Sequence, residues 1–448
     1  MAATATLVGA LACQRNSFLA EGFETTVLKC EKTKEDKIFE VQLQDTILFP
    51  EGGGQPSDLG ELVVDSNDRK VSVFGVERRG LQAIHRVNEF VEPGTSVKVT
   101  VDWQRRFDFM QQHTGQHLVS AILDQWELPT LSWCMGGVPT YKNPTPGPTE
   151  LFNYIEIGRK LTADEISKLS HICHEHITVN PQKVTVVENQ KDDEACENDQ
   201  ADINMSKIPD DYDVAKGVVR TIHIGDMDAN PCCGTHLTST AQIGSIFISP
   251  NQGAVRGTNS RIYFMCGYRV LKYTTFANAL LGQMKSLLSC SEPTIVEKVS
   301  YQLESAQKTT KREQYWKKKI ATVDASTAFN ALKEHGKCYY SQDEFGSLDY
   351  LTLVHKEIES KITHSKLRDY VAVISGREKA TNSGALIVVS DSADKIASVT
   401  SKLQEICPTL KGGGGKKGGK WQGKVVSFKG QIWENLNDYL SENFKKVA

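Results

Sequence analysis

Two short segments carry matched pairs of metal-ligating side chains, His113-Thr-Gly-Gln-His117 and Cys232-Cys-Gly-Thr-His236. On a helix, residues four apart lie about one turn from each other on the same side, so His113 and His117 can offer two imidazoles to one point. Three imidazoles and a thiolate form an N/S donor set that suits one Zn2+ per chain. An HxxxH pair alone is a weak signal, because surface helices carry it without metal; the CxxxH pair is what gives it weight. Cys233 is an alternative thiolate, and the i, i+4 spacing to His236 favours Cys232. The cluster His171, Cys173, His174 and His176 points to different sides of a helix and is read as non-ligating. Four protein ligands ordinarily close a structural zinc, whereas a catalytic zinc keeps a position for water or substrate. The spacing is compatible with either.

A second candidate is Phe49-Pro-Glu-Gly-Gly-Gly-Gln55-Pro56. Its three glycines permit close backbone approach to a ligand, and Gln55 offers both an amide donor and a carbonyl acceptor. No GK[ST] follows, so this is not a nucleotide-binding Walker loop. No GxSxG elbow occurs, which argues against an acyl-enzyme serine hydrolase. Pro231-Cys232 has no cysteine at position 235, which argues against a zinc deaminase. Residues 411–430 hold six lysines, eight glycines and no acids around Trp421. A basic flexible loop of this kind suits a phosphate backbone and one stacked base, with Lys416, Lys417, Lys420 and Trp421 as the contacts. Residues 188–213 are the opposite, with ten acids against two lysines, and read as a solvated surface segment.

The elements that must position these groups are legible in outline. Segments 23–30, 37–49, 70–77, 82–87 and 96–103 have alternating or β-branched patterns separated by turns, which predicts a small barrel or sandwich. A helix is expected over 103–126, capped by Asp102, with Phe107, Thr114, Leu118, Ala121 and Ile122 as its core face. A strand and a helix follow, the helix opened by Thr162 and Glu165 as a capping box. Strands return at 218–224, 242–248 and 261–267. Residues 268–322 read as helix, broken near Pro293. From 326 the chain alternates helix and strand, with buried-strand runs at 370–376 and 385–390.

Of 448 residues, 39% are hydrophobic and 24% charged, with a net charge of −3. That is enough apolar material for several cores and excludes wholesale disorder. The charge excludes a uniformly basic protein but not a local basic patch. No apolar run reaches the length of a membrane span, and the N-terminus lacks the basic flank of a signal peptide. Eleven scattered cysteines do not form a secreted disulfide framework. The expected setting is the cytoplasm, away from membranes.

The order FPEGGGQPSDLG, HTGQHL, CCGTH, RIYFMCGYRVL resembles the editing domain of alanyl-tRNA synthetase, and more closely its free-standing relatives, the alanyl-tRNA editing proteins of the AlaX class. LKGGGGKKGGKWQGK resembles the glycine-rich loop of the synthetase's C-terminal domain, as in the long form of that class. The sequence departs from the usual pattern at Gln116, where the synthetase has Thr, and at CCGTH, where CGGTH is commoner. The 137–150 loop is longer and more proline-rich, and the tail more basic.

The resemblance implies a multi-domain α+β protein. Residues 1–101 would form an N-terminal β-barrel-like domain and 102–267 a zinc-containing editing domain. Residues 268–325 would be a helical spacer, and 326–448 a C-terminal α/β domain for tRNA binding or homodimerisation. It implies hydrolysis of the ester joining a wrong amino acid, chiefly serine, to alanine tRNA, with zinc on His113, His117, Cys232 and His236. Gln55 and Thr46 would be the polar groups that read the seryl hydroxyl. Because the chain starts at the β-domain, no aminoacylation activity is expected. The alternative is a zinc-stabilised tRNA- or partner-binding protein without catalysis.

Overall fold

The structure, a computed structural model, describes residues 4–35, 37–65, 68–139, 143–189 and 218–447. Most of the acidic 188–213 segment and part of the 137–150 loop lie outside the described residues. The chain forms two compact units, 1–284 and 285–448.

The first unit begins with a short helix, α1 (Ala12–Arg15), and six strands: β1 (Phe23–Lys32), β2 (Phe39–Leu43), β3 (Gly60–Val64), β4 (Arg69–Arg79), β5 (Gln82–Val87) and β6 (Ser96–Val101). They close into a barrel in the order β1-β2-β5-β4-β3-β6. Alternation of inward residues such as Val97, Val99 and Val101 fills its interior. The sequence pattern predicts a barrel or sandwich, and closure is the observed solution. Two details differ from the sequence reading. Strand β2 stops at Leu43, because Asp45 turns the chain by accepting from the backbone N–H groups of Ala12 and Thr46. Strand β3, just beyond the 51–60 turn, is additional to the five strands expected from pattern.

Helix α2 (Trp103–Asp124) follows, with Asp102 accepting from the Arg105 N–H at 3.1 Å. The stripe expected from the helical wheel is too narrow. Every residue from Phe109 to Leu123 is buried, while Phe107 is only half-buried. The reason is that α2 is packed on several sides. One neighbour is a sheet in the order β12-β13-β8-β7, made of β7 (Ser132–Cys134), β8 (Asn153–Ile157), β12 (Ile246–Ala254) and β13 (Ser260–Cys266). Another is α3 (Ala163–Thr178), opened by the expected Thr162–Glu165 capping box. A smaller sheet, β11-β10-β9, is built from β9 (Val184–Asn189), β10 (Val219–Ile224) and β11 (Asp228–Pro231).

A helix this deeply enclosed places polar side chains in the interior, and each of the following is matched. Gln112 donates to the Cys266 carbonyl at 3.1 Å and accepts from the Cys266 N–H at 2.9 Å, which locks α2 to β13. Arg106 is fully buried and paired with Asp58, which is 1% exposed. Its other N–H groups donate to the carbonyls of Ser17 and Ile47, and Asp58 accepts from the Phe49 N–H. In the first turn of helix α4 (Tyr268–Leu288), Arg269 grips Asp108 of α2 and the carbonyls of Gly136 and Leu151.

The second unit begins within the 268–322 region read as helix. That region resolves into α4 and α5 (Ile295–His335), separated at Pro293 as expected, with α5 running further than its sequence pattern suggests. A mixed six-stranded sheet follows in the order β17-β18-β16-β15-β14-β19. Its strands are β14 (Lys337–Gln342), β15 (Val371–Glu378), β16 (Ser383–Ser390), β17 (Lys411–Gly414), β18 (Gly419–Val425) and β19 (Lys445–Lys446). One face is covered by α6 (Leu348–Ser365) and the end of α5. The other is covered by α7 (Ala393–Ile406) and α8 (Ile432–Asn443). Burial on both faces explains the continuous apolar runs of β15 and β16. No helix among the described residues is long and apolar enough to cross a membrane.

Substituting Asp58→Ala should leave Arg106 charged and unpaired in the interior. A loss of about 3–5 kcal/mol of unfolding free energy is expected by denaturant titration. A change below about 1 kcal/mol would show that the pair does not hold the barrel to α2.

Candidate metal centre

Helix α2 delivers His113 and His117, as the i, i+4 spacing requires. Their rings stack with centroids 5.2 Å apart. The second segment behaves differently: Cys232 to His236 is not helical but an irregular loop leaving β11. It nevertheless brings His236 within 4.4 Å of the His113 ring and 5.0 Å of the His117 ring, centroid to centroid. The ligand atoms of His113, His117, Cys232 and His236 all lie within 4.8 Å of one another. Tetrahedral zinc with bonds of about 2.0–2.3 Å sets its ligands roughly 3.5 Å apart. The Cys232 Sγ to His113 Nε2 separation of 3.3 Å already matches.

The hydrogen bonds around the cluster fix which nitrogen faces inward. Gln55 Oε1 lies 2.9 Å from His113 Nδ1 and can only accept, so Nδ1 carries the proton and Nε2 presents a lone pair toward Cys232. Gln55 is itself pinned, accepting from the Thr235 N–H at 3.1 Å and donating to Thr235 Oγ1 at 2.8 Å. Asp228 Oδ2 stands 3.6 Å from His117 Nδ1, leaving His117 Nε2 buried without a hydrogen-bond partner. Both ring nitrogens of His236 are likewise buried and unsatisfied. Buried, unpartnered imidazole nitrogens on two rings beside a thiol are costly, and a cation held by one nitrogen of each ring would relieve that cost. The donor set therefore fits a zinc ion, and an outer carboxylate or amide on a ligating histidine is what zinc sites ordinarily use.

The electrostatics distinguish the two thiols. Burial would raise the Cys232 thiol, but the adjoining imidazoles of His113 and His236, with the hydrogen bonds of His113 and His117, hold it well below its ordinary value. The neighbouring Cys233 thiol is pushed up to about 12 by burial and by Cys232. Cys233 also turns toward Gly52 and Gly53, away from the histidines. Of the two thiols, Cys232 is the one in the cluster. Burial lowers His236 to about 3, helped by the His113 imidazole beside it. Burial opposes protonation of His117 too, yet Asp228 and the Cys232 sulfur hold it up at about 9.

Glycines allow this crowding. A Cβ at Gly234 would stand 2.4 Å from the His113 ring. At Gly54, φ is +81° and a Cβ would meet the Trp133 indole at 2.6 Å. The GGGQ loop, three of the four cluster residues (His113, His117 and Cys232) and Trp133 thus border one cavity of about 960 Å3.

Other residues singled out by sequence are placed elsewhere. Thr46 is 1% exposed and does not line the cavity. His85 sits with Nδ1 3.1 Å from the Val41 carbonyl, so Nδ1 donates there and Nε2 accepts from the Thr46 hydroxyl at 2.9 Å. The Thr46 oxygen accepts from the Leu48 N–H, so the whole hydroxyl is used inside the barrel. The glycine-rich tail is not a flexible loop but the β17–β18 hairpin. Strand alternation turns Trp421 into the core, at 6% exposure, where it cannot stack on a base. Lys416 and Lys417 are exposed and Lys420 is half-buried.

Sequence reading missed the polar wall of the cavity. Gln116 Nε2 donates to Ser120 Oγ at 2.8 Å, and Ser120 Oγ lies 2.6 Å from Thr130 Oγ1. The i, i+4 spacing of Gln116 and Ser120 on α2 was the available signal. Asp228 was missed as well, because nothing in its local sequence ties it to His117.

Removing the Gln55 carbonyl while keeping bulk, as in Gln55→Leu, should free His113 to rotate. Zinc affinity is expected to fall by about 10–100-fold in a competitive chelator titration. Cys232→Ser should lose zinc and Cys233→Ser should retain it. Equal retention in both would move the thiolate assignment.

Similarity to known proteins bears on identity. Residues 219–263 match the family described as the threonyl and alanyl tRNA synthetase second additional domain. The chain is 50% identical to a Saccharomyces cerevisiae protein named putative alanyl-tRNA editing protein alaX, over 98% of this chain and 97% of that one. It is 30% identical to the mouse (Mus musculus) alanyl-tRNA editing protein Aarsd1, over 96% and 98%. It is 29% identical to the alanyl-tRNA editing protein AlaX-L of Pyrococcus horikoshii, over 60% of this chain and 61% of that one. With near full-length identity of this order, matched by the motifs that line the cavity, the chain belongs to the family of alanyl-tRNA editing proteins.

Proposed function

We propose that the chain is a trans-editing hydrolase that releases a wrong amino acid, chiefly serine, from tRNA of the alanine type, without aminoacylating it. The observation that carries this reading is that the GGGQ loop and His113, His117 and Cys232 of the four-ligand cluster line one cavity. Its volume, about 960 Å3, is at the upper end for small-molecule sites and suits an aminoacylated terminal adenosine. Zinc held by His113, His117, Cys232 and His236 would supply a Lewis-acid grip on the substrate's amine or ester oxygen.

The chain's own residues bind and orient. Gln55 holds His113 in the ligating tautomer, so it acts as a positioning residue. Gln116, Ser120 and Thr130 form a hydroxyl-bearing wall beside His117. A wall of this kind favours a seryl side chain over an alanyl one, since a site built around a hydroxyl can reject its absence by a factor of about 10⁴. Trp133 walls the cavity over His113, with ring centroids 4.8 Å apart. Exposed Lys416 and Lys417 on the β17–β18 hairpin, with Lys420 behind them, add positive charge for the tRNA backbone. The closed look of a four-ligand set favours one competing reading, in which zinc is structural and the protein only binds tRNA.

Release of amino acid from seryl-, glycyl- and alanyl-tRNA separates the two. Rapid loss of serine with alanyl-tRNA spared is expected, and His117→Ala should abolish it. Ser120→Ala should lower kcat/KM for seryl-tRNA by about 10–100-fold, the size of one missing hydrogen bond to the substrate, with zinc content unchanged. Seryl-tRNA as stable with the protein as without it would leave only the binding reading.

A further inference from the structure

Helix α5 spans 41 residues, yet its buried residues are Ile295 and then only Ala321, Ala325, Ala328 and Leu332. From 296 to 320 no residue is buried. That is about 37 Å of helix, at about 1.5 Å per residue, without one buried side chain. A helix this open that also exposes Tyr301, Leu303, Tyr315, Trp316 and Ile320 needs a reason. Within this stretch lies Lys311-Arg-Glu-Gln-Tyr315-Trp316-Lys-Lys-Lys319. Tyr315 is 54% and Trp316 56% exposed. Their rings meet edge to face at 5.2 Å, and Lys319 Nζ lies 5.8 Å over the Tyr315 ring.

The arrangement is one-sided. At about 100° per residue, Lys308, Arg312, Tyr315, Trp316 and Lys319 share an arc of about 100°, with Lys311 on its flank and Lys318 further round, toward the buried stripe. The buried residues Ala321, Ala325, Ala328 and Leu332 occupy the opposite side of the same helix. The packing that anchors α5 to its sheet therefore aims the basic and aromatic face outward. Glu304 and Glu313 neutralise Lys308 and Lys317 through i, i+4 pairs. Lys311, Arg312, Lys318 and Lys319 have no carboxylate partner among the described residues.

We propose that this face of α5 is an RNA-docking surface: the unpaired cations take backbone phosphates, and Trp316 with Tyr315 stacks an unpaired base. Three uncompensated cations, Lys311, Arg312 and Lys319, beside two exposed aromatic rings match a polyanion that also carries flat apolar faces. A purely apolar partner would leave the cations desolvated and unpaired. The proposal rests on the reading that the protein handles tRNA, and it relocates the base-stacking contact from Trp421, which is buried, to α5. It concerns residues that the sequence pattern assigns only to a spacer.

The test uses the full chain and a deacylated alanine-type tRNA, with binding followed by fluorescence anisotropy across a salt series. The Arg312→Glu/Lys319→Glu variant should bind at least tenfold more weakly at low salt. Its log–log salt slope should fall by about 0.7–0.9 for each phosphate that is no longer neutralised. The Tyr315→Ala/Trp316→Ala variant should bind several-fold more weakly with an unchanged slope, since stacking releases no counterion. Both substitutions lie on exposed positions away from the buried stripe, and an unchanged melting temperature would confirm intact folding. Wild-type binding in both variants would overturn the proposal. So would a loss of sedimenting mass with an unchanged tRNA slope, which would assign the face to a second copy of the chain. Seryl-tRNA hydrolysis, measured in parallel, reports on the enzymatic reading alone. If wild type fails to hydrolyse while the variants lose affinity and slope, the docking face stands without the enzyme.

Discussion

The geometry of the metal cluster depends on one buried ion pair, Arg106 with Asp58. Arg106 stands in the first two turns of α2, and Asp58 lies three residues beyond Gln55. The guanidinium also ties down the carbonyls of Ser17 and Ile47, while Asp58 receives the Phe49 N–H. The barrel's 47–58 loop and the helix bearing His113 and His117 therefore move as one body. Such a pair contributes little net stability, because both charges were well solvated in water. What it contributes is register. A hydrophobic pair of equal volume would let α2 slide or rotate by a fraction of a turn, and Gln55 would no longer meet His113.

A hierarchy of constraints follows from that register. The ion pair sets the helix, the helix sets Gln55 against His113, and Gln55 sets the tautomer. Thr235 then clamps Gln55 from the loop that supplies Cys232 and His236, so both ligand segments are fixed through one amide. Thr114, inside the HTGQH segment, accepts from the Leu237 N–H and ties the same loop to α2. Small residues are demanded at fixed points between these groups. A Cβ at Gly115 would lie 2.3 Å from Cys266 Sγ, so α2 reaches β13 only because position 115 is glycine.

Period and spacing made much of this legible. The alternation of Val97, Val99 and Val101 announces a strand, and His113 with His117 announces a shared helix side. Where these local signals stop, the sequence reading fails for identifiable reasons. The α2 stripe is misjudged because polar residues such as Gln112 are satisfied by partners over a hundred residues away. Thr46 looks like a free hydroxyl because nothing near it in sequence reveals His85. Trp421 looks like a ligand-facing aromatic among lysines and glycines, yet strand alternation buries it while its neighbours Lys420 and Gln422 stay half-buried. In each case the deciding contact is tertiary, and the residue type alone is compatible with both outcomes.

Selectivity at the cavity can be argued by counting protons. Gln55 has its amide oxygen and nitrogen engaged by His113 and Thr235. Near His117 the cavity wall carries Gln116, Ser120 and Thr130. Ser120 accepts from Gln116, and one hydrogen bond joins Ser120 to Thr130, whichever donates. Two hydroxyl protons are available and only one is used between them, so one proton is left over in either orientation. An alanyl methyl placed there leaves that proton unpaired in a buried wall, whereas a seryl oxygen accepts it. On the proposed seryl-selective reading, the cost of the unpaired group falls on the alanyl substrate. Discrimination of this sign needs only the amide and two hydroxyls of this part of the wall, and none of the charged residues, Glu51, Arg78 and Arg220, elsewhere in the lining.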